Sequence, residues 1–501
     1  MLPKSTDISP TTARVAFVII LFIYVILGIL YATETPIWQA PDEPAHYNYV
    51  QYIAEEGRLP ELRPGDYPAA YLEEIKAQGF PPSMSIDSLR YESHQPPLYY
   101  ILAAVIYHIS QVMGAQPIML LPLRLFSLVL GALALIANYC LTRDAFPSHR
   151  LLALGTTAFA ALLPMHVAVT ASVNNDVLAE LVLNILVWTL VLTEQKGWST
   201  WESLKIGALL GLAFLTKMQT YIAFALVVLA LIWDIWQAEA KNTLAAKSAP
   251  KYAGVVYGTA LLIGLPWLLR NITLYGLTDP LGMVRHDQVV VGQLTTAQFL
   301  TQKGFWELLR SFVVTSFQSF WGQFGWMGVV LHPRIYRTLA LLSGMAALGL
   351  GHFFSGRSSP PNLSSHTKRS AFLFTAWATL TTLSYIWYNT KYVQHQGRYL
   401  FPALVPWGIA FTLGLYHVLR DASRLVCVLL AAGITILLIH GTLVRDVKGF
   451  GIALLVAALI ATFAGQWLEQ QRSGTGFAPL YGAMIILNLV CVYGYIVPLL
   501  H

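Results

Sequence analysis

The sequence predicts an all-α polytopic integral membrane protein with about 13 transmembrane helices and interfacial helices in its first external loop. Hydrophobic residues make up 56% of the 501 positions and charged residues 11%, whereas about a quarter of the residues of a soluble domain are charged. The apolar residues fall in blocks of about 17–24 residues, the length that an α-helix needs to cross hydrocarbon. Because lipid offers no hydrogen-bond partners, the backbone groups of such blocks must pair within the segment, as they do in a helix.

The predicted spans follow one another along the whole chain. The block 205–236 is too long for one upright helix and is interrupted at Thr216 and Lys217, so it forms either one tilted helix or two short ones. The apolar blocks cover residues 14–32, 97–113, 119–141, 151–170, 176–193, 205–236, 252–269, 335–354, 371–390, 400–419, 424–442, 449–467 and 477–499.

Basic residues in short loops predict which side of the membrane each loop faces. With a cytoplasmic N-terminus, three basic loops fall inside, and their residues are Lys241, Lys247, Lys251, Arg357, Lys368, Arg369, Arg420 and Arg424. Residues 33–96, 270–334 and 391–398 then lie outside. Loop 143–150 also falls outside although it contains two arginines, which conflicts with the rule and leaves the topology between residues 114 and 236 open.

This pattern predicts a multi-pass protein of the plasma (inner) membrane in three parts. Residues 1–269 form an N-terminal transmembrane module that includes the external loop 33–96, residues 270–334 form a second external, aromatic-rich segment, and residues 335–501 form the C-terminal helices. The net charge of +6 is explained by the cytoplasmic loops, and the basic residues form no aromatic-interleaved patch. The sequence therefore gives no indication of a nucleic-acid partner.

Two adjacent acids, Asp42 and Glu43, directly follow the first span. Asp42 stands before a short amphipathic helix that Gly57 ends, so one interpretation is that it caps this helix on the membrane surface. The other is that a carboxylate at the water boundary acts as a base toward an incoming hydroxyl, or holds a divalent metal.

The same loop ends with Glu92 and His94, just before Pro96 and Pro97 open the next helix. They are either ordinary interfacial polar residues or, if the neighbouring helix ends meet, part of a site with Asp42. Histidine and carboxylates together also suit a metal ion, although this spacing matches no recognised ligand motif.

Five charged residues lie within or at the edges of apolar blocks, where charges are costly and are candidates for function. Arg124 and Arg270 could extend to the interface, and Asp176 could cap a helix. Lys217 interrupts its block. Arg398 lies in a predicted outside loop among aromatic residues, where a guanidinium suits bidentate binding of a phosphate.

Taken in order, these motifs resemble the GT-C superfamily of membrane glycosyltransferases, in particular the protein O-mannosyltransferase-like group and the lipid A aminoarabinose transferases, and within it an uncharacterised bacterial branch. The motifs are Asp42-Glu43, Pro96-Pro97, Leu215-Thr216-Lys217, the Pro266–Asn271 segment Pro-Trp-Leu-Leu-Arg-Asn, and Arg398-Tyr399-Leu400-Phe401-Pro402. The resemblance spans most of residues 14–420 and depends on the order of the motifs.

The resemblance implies a polyprenyl-phosphate sugar donor and a site at the outer membrane face. It implies that Asp42 is the catalytic acidic residue with Glu43 beside it, and that Arg398 lies near the donor phosphate. Asp176 matches a later acidic position of relatives, although the topology above places it inside.

The expected reaction is transfer of the sugar to an acceptor hydroxyl of a glycan, lipid or protein, with inversion. The anionic leaving phosphate needs cations, for which Arg398, Arg270 and Lys217 are the candidates. Glu92, His94 and Asp176 are assigned to the acceptor or to a candidate divalent-cation site, and no cofactor is certain. A transporter or flippase of lipid-linked substrates and a lipid-linked polysaccharide polymerase or ligase remain alternatives.

Overall fold

The computed structural model of the chain describes residues 8–114, 119–240, 245–355, 364–421 and 423–501. The helices are α1 Pro10–Glu34, α2 Glu43–Glu56, α3 Ala69–Ala77, α4 Leu98–Val112, α5 Leu120–Ala145, α6 Arg150–Leu162, α7 Pro164–Thr170, α8 Asp176–Lys196, α9 Thr200–Phe214, α10 Ile222–Ala240, α11 Ala245–Tyr275, α12 Met283–Val289, α13 Thr296–Lys303, α14 Phe305–Trp321, α15 Pro333–Phe354, α16 Ser365–Lys391, α17 Leu404–Arg420, α18 Ser423–Val444, α19 Gly449–Gln471, α20 Ala478–Cys491 and α21 Val497–Leu500.

Short irregular elements connect these helices. Short 3-10 helices cover Tyr91–His94, Met218–Tyr221, Gly397–Ala403 and Thr475–Phe477, and a π-helical turn covers Val492–Ile496. A small antiparallel hairpin pairs β1, Gln323–Phe324, with β2, Val329–Val330.

The predicted polytopic α-helical membrane fold is confirmed. In the part of the chain that the structure describes, nine helices are long and apolar enough to cross a membrane, and a tenth is added if α6 and α7 form one span. These two helices meet at a 68° bend directly before Pro164, whose ring cannot continue a helix from the preceding turn. The predicted count of about 13 is not confirmed, and α15 and α16 are not among the nine.

Helix α4 corrects the prediction of a span over residues 97–113. It has 15 residues, which gives a length of about 22 Å against about 30 Å of hydrocarbon. It lies beside the interfacial helix α2, and the rings of Tyr49 and Tyr100 stack with centroids 3.8 Å apart. Arg124, in the first turn of α5, binds Glu43 in the first turn of α2. The chain therefore returns to its starting end between residues 98 and 124.

Because the chain returns to this end of the bundle, the helices that follow begin and end on the sides opposite to those predicted from the sequence. Asp176 pairs with Lys217 at the end of the bundle that carries Asp42, so the prediction that Asp176 and Asp42 lie on opposite sides is wrong. The block 205–236 forms two helices, α9 and α10, that meet at Lys217. This resolves the alternative that the sequence left open.

Other contacts define the opposite end of the bundle. Arg150 donates to the carbonyl of Ile8. His366 contacts the carbonyl of Asp144, and Arg369 forms an ion pair with Asp234. Loop 143–150 therefore lies with the N-terminus and the start of α16. Of the basic residues used to predict orientation, Lys241 and Arg357 lie outside the described residues.

Close backbone contact fixes part of the helix packing. Helices α15 and α17 meet at Gly349 and Gly414, where a Cβ added to Gly349 would lie 2.0 Å from the carbonyl oxygen of Gly414. Small residues allow such an approach of membrane helices, and a larger side chain would separate them. Since α17 follows directly after the Gly397–Ala403 turn, this contact also anchors the segment that carries Arg398.

Candidate active site

A cavity of about 500 Å³ lies at the end of the bundle that carries Asp42. Its wall is built from segments far apart in sequence: the residues after α1, the Tyr91–His94 turn, the start of α8, the break between α9 and α10, and the segment before α17. The structure brings six of the predicted site residues together around this cavity, namely Asp42, Glu92, His94, Asp176, Lys217 and Arg398.

Asp42 and Arg398 form an ion pair in this cavity, with 2.6 Å between Arg398 Nη2 and Asp42 Oδ2. The hydroxyl of Tyr91 donates to the other carboxylate oxygen of Asp42 at 3.0 Å. Burial is the largest single effect on Asp42 and raises its pKa, but Arg398, together with His46 and the hydroxyl of Tyr91, outweighs burial and holds the pKa of Asp42 below its ordinary value. Asp42 is therefore an ionised carboxylate at neutral pH.

The backbone of Asp42 explains where its side chain points. Its φ of 66° and ψ of −5° lie in the left-handed region, which aspartate tolerates better than most residues. In this conformation Asp42 makes no side-chain hydrogen bond to the first turn of α2, so the interpretation as a helix cap is wrong. Left-handed non-glycine residues are maintained by surrounding contacts and concentrate at functional sites. Here those contacts are Arg398 and Tyr91.

Lys217 and Asp176 form a second ion pair on the cavity wall, with 2.7 Å between Lys217 Nζ and Asp176 Oδ1. The amide of Asp176 is bound by the side chain of Asn174, so an asparagine two residues earlier in the chain supports the start of α8. Lys217 and Arg398 thus each have one carboxylate partner and retain further N–H donors.

Glu92 and His94 are uncharged at neutral pH. Burial, and then the nearby charge of Asp42, raise the pKa of Glu92 to about 8. Burial, and then the neighbouring His286, whose ring centroid lies 4.5 Å away, lower the pKa of His94 to about 3. Among the described residues, no group of three or more His, Cys, Asp or Glu side chains is arranged to hold a metal ion. The candidate divalent-cation site of Glu92, His94 and Asp176 is therefore not assembled as a ligand set.

Glu43 does not share the position of Asp42. It is fully buried and forms a two-point ion pair with Arg124, with distances of 2.9 and 2.6 Å, and it accepts the backbone N–H of Val173. Arg124 also binds the carbonyl oxygens of Ala32, Thr35 and Pro36 at the end of α1. The expectation of a catalytic Glu43 is corrected by this geometry: Glu43 holds the turn that presents Asp42. Arg124 is likewise part of this buried support and does not extend to the membrane interface.

Arg270 also lies outside the cavity wall. Its guanidinium donates to the carbonyl of Pro60 and to Asn271, and it stacks on the ring of Trp267. These contacts attach the end of α11 to the first long loop. The assignment of Arg270 to the donor phosphate is therefore corrected to a role in holding that loop.

The segment that presents Arg398 is fixed against α14. The amide of Gly397 donates to Ser319 Oγ at 2.7 Å, and a Cβ on Gly397 would lie 2.3 Å from the carbonyl oxygen of Ser316. Only glycine permits this approach. The aromatic stretch 319–326 therefore contributes to the site partly as support, while Trp326 itself reaches the cavity wall.

Several cavity residues were not singled out from the sequence. His46 lies one helical turn after Asp42, and this spacing could have indicated it. Burial lowers the pKa of His46 to about 3, and its ring contacts the hydroxyl of Tyr100 at 2.8 Å. The remaining lining residues include His286, Gln219, Gln293, Gln396, Tyr67, Tyr388 and Tyr399, and they carry no local sequence signal.

Comparison with known proteins gives a family and a fold. A model of the family described as "Predicted membrane protein (DUF2142)" matches residues 85–406, well over half of the chain. No curated protein matches the chain.

Among solved structures, the chain is similar to ArnT from Cupriavidus metallidurans. With ArnT bound to undecaprenyl phosphate the TM-score is 0.50 at 14% identity, and in the apo state it is 0.51 at 13% identity; each comparison covers 97% of this chain and 77% of ArnT. For the apo oligosaccharyltransferase of Archaeoglobus fulgidus the TM-score is 0.49 at 13% identity, covering 93% of this chain and 59% of that chain. The likeness to ArnT confirms the predicted GT-C-type fold.

Proposed function

The chain belongs to the DUF2142 family of predicted membrane proteins, and we propose that it is a glycosyltransferase that moves a sugar from a polyprenyl-phosphate carrier to an acceptor hydroxyl. The observation that carries this proposal is the Asp42–Arg398 ion pair in a cavity that also contains Lys217. A carboxylate and two cations at one site are what a hydroxyl nucleophile and a phosphate leaving group require. The GT-C-type fold, shared with a protein solved with undecaprenyl phosphate, supports it.

The cations have donors left for a phosphate. Arg398 uses one nitrogen for Asp42, and its buried Nε has no hydrogen-bond partner in the described part of the chain. Lys217 uses one of its three protons for Asp176. A phosphate bound between them would receive charge-assisted hydrogen bonds, which are stronger than neutral ones.

Binding of the carrier also activates Asp42. In the free protein Arg398 keeps the pKa of Asp42 low, which makes Asp42 a weak base. A phosphate that attracts Arg398 weakens this restraint, and the pKa of Asp42 rises while the substrate is in place. The site is then ready to accept a proton only when a carrier is bound.

In the reaction, Asp42 takes the proton of the acceptor hydroxyl and the acceptor oxygen bonds to the anomeric carbon of the sugar. The bond between that carbon and the phosphate oxygen breaks, and the carrier leaves as polyprenyl phosphate. Its charge is stabilised by Arg398 and Lys217, so the leaving group needs no proton. Attack opposite the phosphate inverts the anomeric carbon.

We assign the cavity to the outer face of the membrane. The opposite end of the bundle carries Arg150, Lys368 and Arg369, and short basic loops face the cytoplasm. With α4 beside α2 and not across the membrane, loop 143–150 joins these basic loops, which removes the conflict in the orientation predicted from sequence.

The direct test uses the purified full chain in nanodiscs with decaprenyl phosphate that carries a radiolabelled glucose, galactose or mannose. Release of decaprenyl phosphate is measured with a membrane extract as the source of acceptors. The proposal expects release by the parent protein and by the control Asp87→Asn, which changes an exposed acid. It expects a loss of about 100-fold or more for Asp42→Asn, as for removal of a general base. Full activity of a well-folded Asp42→Asn protein would remove Asp42 from the mechanism.

A further inference from the structure

Six of the residues that line the cavity each carry a buried side-chain polar atom without a hydrogen-bond partner, which is a concentration of unsatisfied groups within the described residues. They come from five segments that are separate in the chain. The atoms are Glu92 Oε2, Gln219 Oε1, Gln293 Oε1, Thr381 Oγ1, Gln396 Oε1 and Arg398 Nε. Buried polar groups in native proteins are almost always paired, so a group of orphans around one cavity indicates a ligand that pairs them.

Five of the six unpaired atoms can accept a hydrogen bond: the amide oxygens of the three glutamines only accept, whereas the hydroxyl of Thr381 and the carboxyl group of Glu92 can accept or donate. The side-chain amide nitrogen of Gln396 donates to Gln394 at 2.8 Å, while its oxygen has no partner among the described residues. The side-chain oxygen of Gln293 likewise has no partner among the described residues. A ligand that satisfies this wall must bring several O–H or N–H donors of its own.

The charges on the residues that line the cavity further restrict the chemical class of the ligand. Glu92 stays protonated below pH about 8 because it is buried beside Asp42. Three cations line the cavity, and each is paired with a carboxylate: Arg398 with Asp42, Lys217 with Asp176, and Lys76 with Glu73. A carboxylate on the sugar would therefore add a further negative charge to that of the carrier phosphate and compete with these carboxylates for the cations, which costs binding energy.

The volume and the aromatic content fit a sugar ring. The cavity measures about 500 Å³, within the range of roughly 300–1,000 Å³ typical of small-molecule sites. Tyr67, Tyr388 and Trp326 contribute aromatic side chains to the lining of the same cavity. A pyranose offers the same combination, with apolar ring faces and hydroxyls around its edge.

We propose that Glu92, Gln219, Gln293, Thr381 and Gln396 form the subsite that binds the hydroxyl groups of an uncharged sugar on the carrier. This inference rests on the proposed function, because that function supplies the carrier. It adds the class of sugar: one with several free hydroxyls and no carboxylate.

The test measures equilibrium binding of four probes to the full chain in nanodiscs: decaprenyl phosphate alone, and decaprenyl phosphate carrying glucose, mannose or glucuronate. An uncharged sugar is expected to bind more tightly than the bare carrier, and glucuronate less tightly than either uncharged sugar. The double variant Gln293→Leu/Gln396→Leu is expected to reduce the preference for the uncharged sugar over the bare carrier by about tenfold, the effect of losing one to two hydrogen bonds. Affinity for the bare carrier should not change.

Gln302→Leu, which alters an exposed glutamine of α13, is the matched control and should leave every affinity unchanged. If the double variant melts early, Gln219→Leu provides an independent variant from another segment. An unchanged preference in well-folded variants, or equal binding of glucuronate, overturns the subsite. Failure of the proposed function gives a different result: bare decaprenyl phosphate would bind to Arg398→Ala as tightly as to the parent.

Discussion

Arg398 and Asp42 are 356 positions apart in the chain, and their side chains meet at 2.6 Å on the wall of one cavity. A separate set of contacts holds each of the two side chains in position. The left-handed backbone and the buried Glu43–Arg124 pair present Asp42, while the contact of Gly397 with α14 presents Arg398. The ion pair therefore depends on the whole bundle, and its consequences can be tested one side chain at a time.

The first prediction concerns the pH dependence of activity in Arg398→Gln. Asp42 must be ionised to accept a proton, so activity falls as the pH drops through its pKa, which Arg398 holds low. Removing the guanidinium leaves burial, which raises the pKa of a carboxyl group. The acid limb of the pH–rate profile should therefore move up by about 1–3 pH units. Arg310→Gln, an exposed change in α14, is the control. An acid limb that stays in place would show that Asp42 is not the titrating group.

The second prediction concerns the buried pair of Glu43 and Arg124. Glu43→Gln leaves a buried guanidinium without its counter-charge, so the free energy of unfolding should fall by about 3–5 kcal/mol. Unfolding of the protein in mixed micelles measures this. The double variant Glu43→Gln/Arg124→Met removes both charges, so its free energy of unfolding should fall by less than that of Glu43→Gln alone. Equal losses in the two variants would contradict the role of the pair as a unit.

The sequence singled out Asp42, Arg398, Lys217 and Asp176 because costly charges at helix ends are few in this chain, but its topology placed Asp176 on the opposite side of the membrane. It could not separate Asp42 from Glu43, since two adjacent acids carry the same local signal. Their roles are decided by Arg124, which lies 81 positions from Glu43. Contacts between residues so far apart in the chain leave no local sequence pattern from which they could be predicted.

The fold class was also predictable, since apolar blocks of spanning length suffice for it. The error at residues 97–113 has a physical cause. A short apolar helix that packs against another interfacial helix has the composition of a span, and only its contacts with α2 show that it does not cross. The glutamines of the cavity were missed because an unpaired amide is recognised only once its neighbours are known.

The third prediction concerns the stability of Glu92→Gln. The pKa of Glu92 is raised by burial to about 8, from an ordinary value near 4.5. The folded state therefore binds a proton that the unfolded state has lost, and its stability falls as the pH rises from about 4.5 through about 8. The substituted glutamine stays neutral at every pH, so the melting temperature of Glu92→Gln should depend less on pH and exceed that of the parent at pH 9. The exposed control Glu74→Gln should follow the parent. Parallel curves for parent and Glu92→Gln between pH 6 and 9 would show that Glu92 is ionised throughout.

The fourth prediction concerns the side of the membrane on which the cavity opens. In a background where Cys140, Cys427 and Cys491 are replaced by alanine, single cysteines are introduced by Ser88→Cys and Ser148→Cys, both at exposed positions. Ser88 lies in the loop that leads to Glu92, and Ser148 lies in loop 143–150 at the other end of the bundle. A membrane-impermeant maleimide added to intact cells should label the first variant and reach the second only after the membrane is permeabilised.

Because α4 returns to the Asp42 end, the two positions are separated by one crossing, α5, and must give opposite results. Labelling of both from outside would mean that α4 crosses the membrane after all, and labelling of the second alone would place the cavity in the cytoplasm, where a carrier phosphate at the outer face could not reach Arg398.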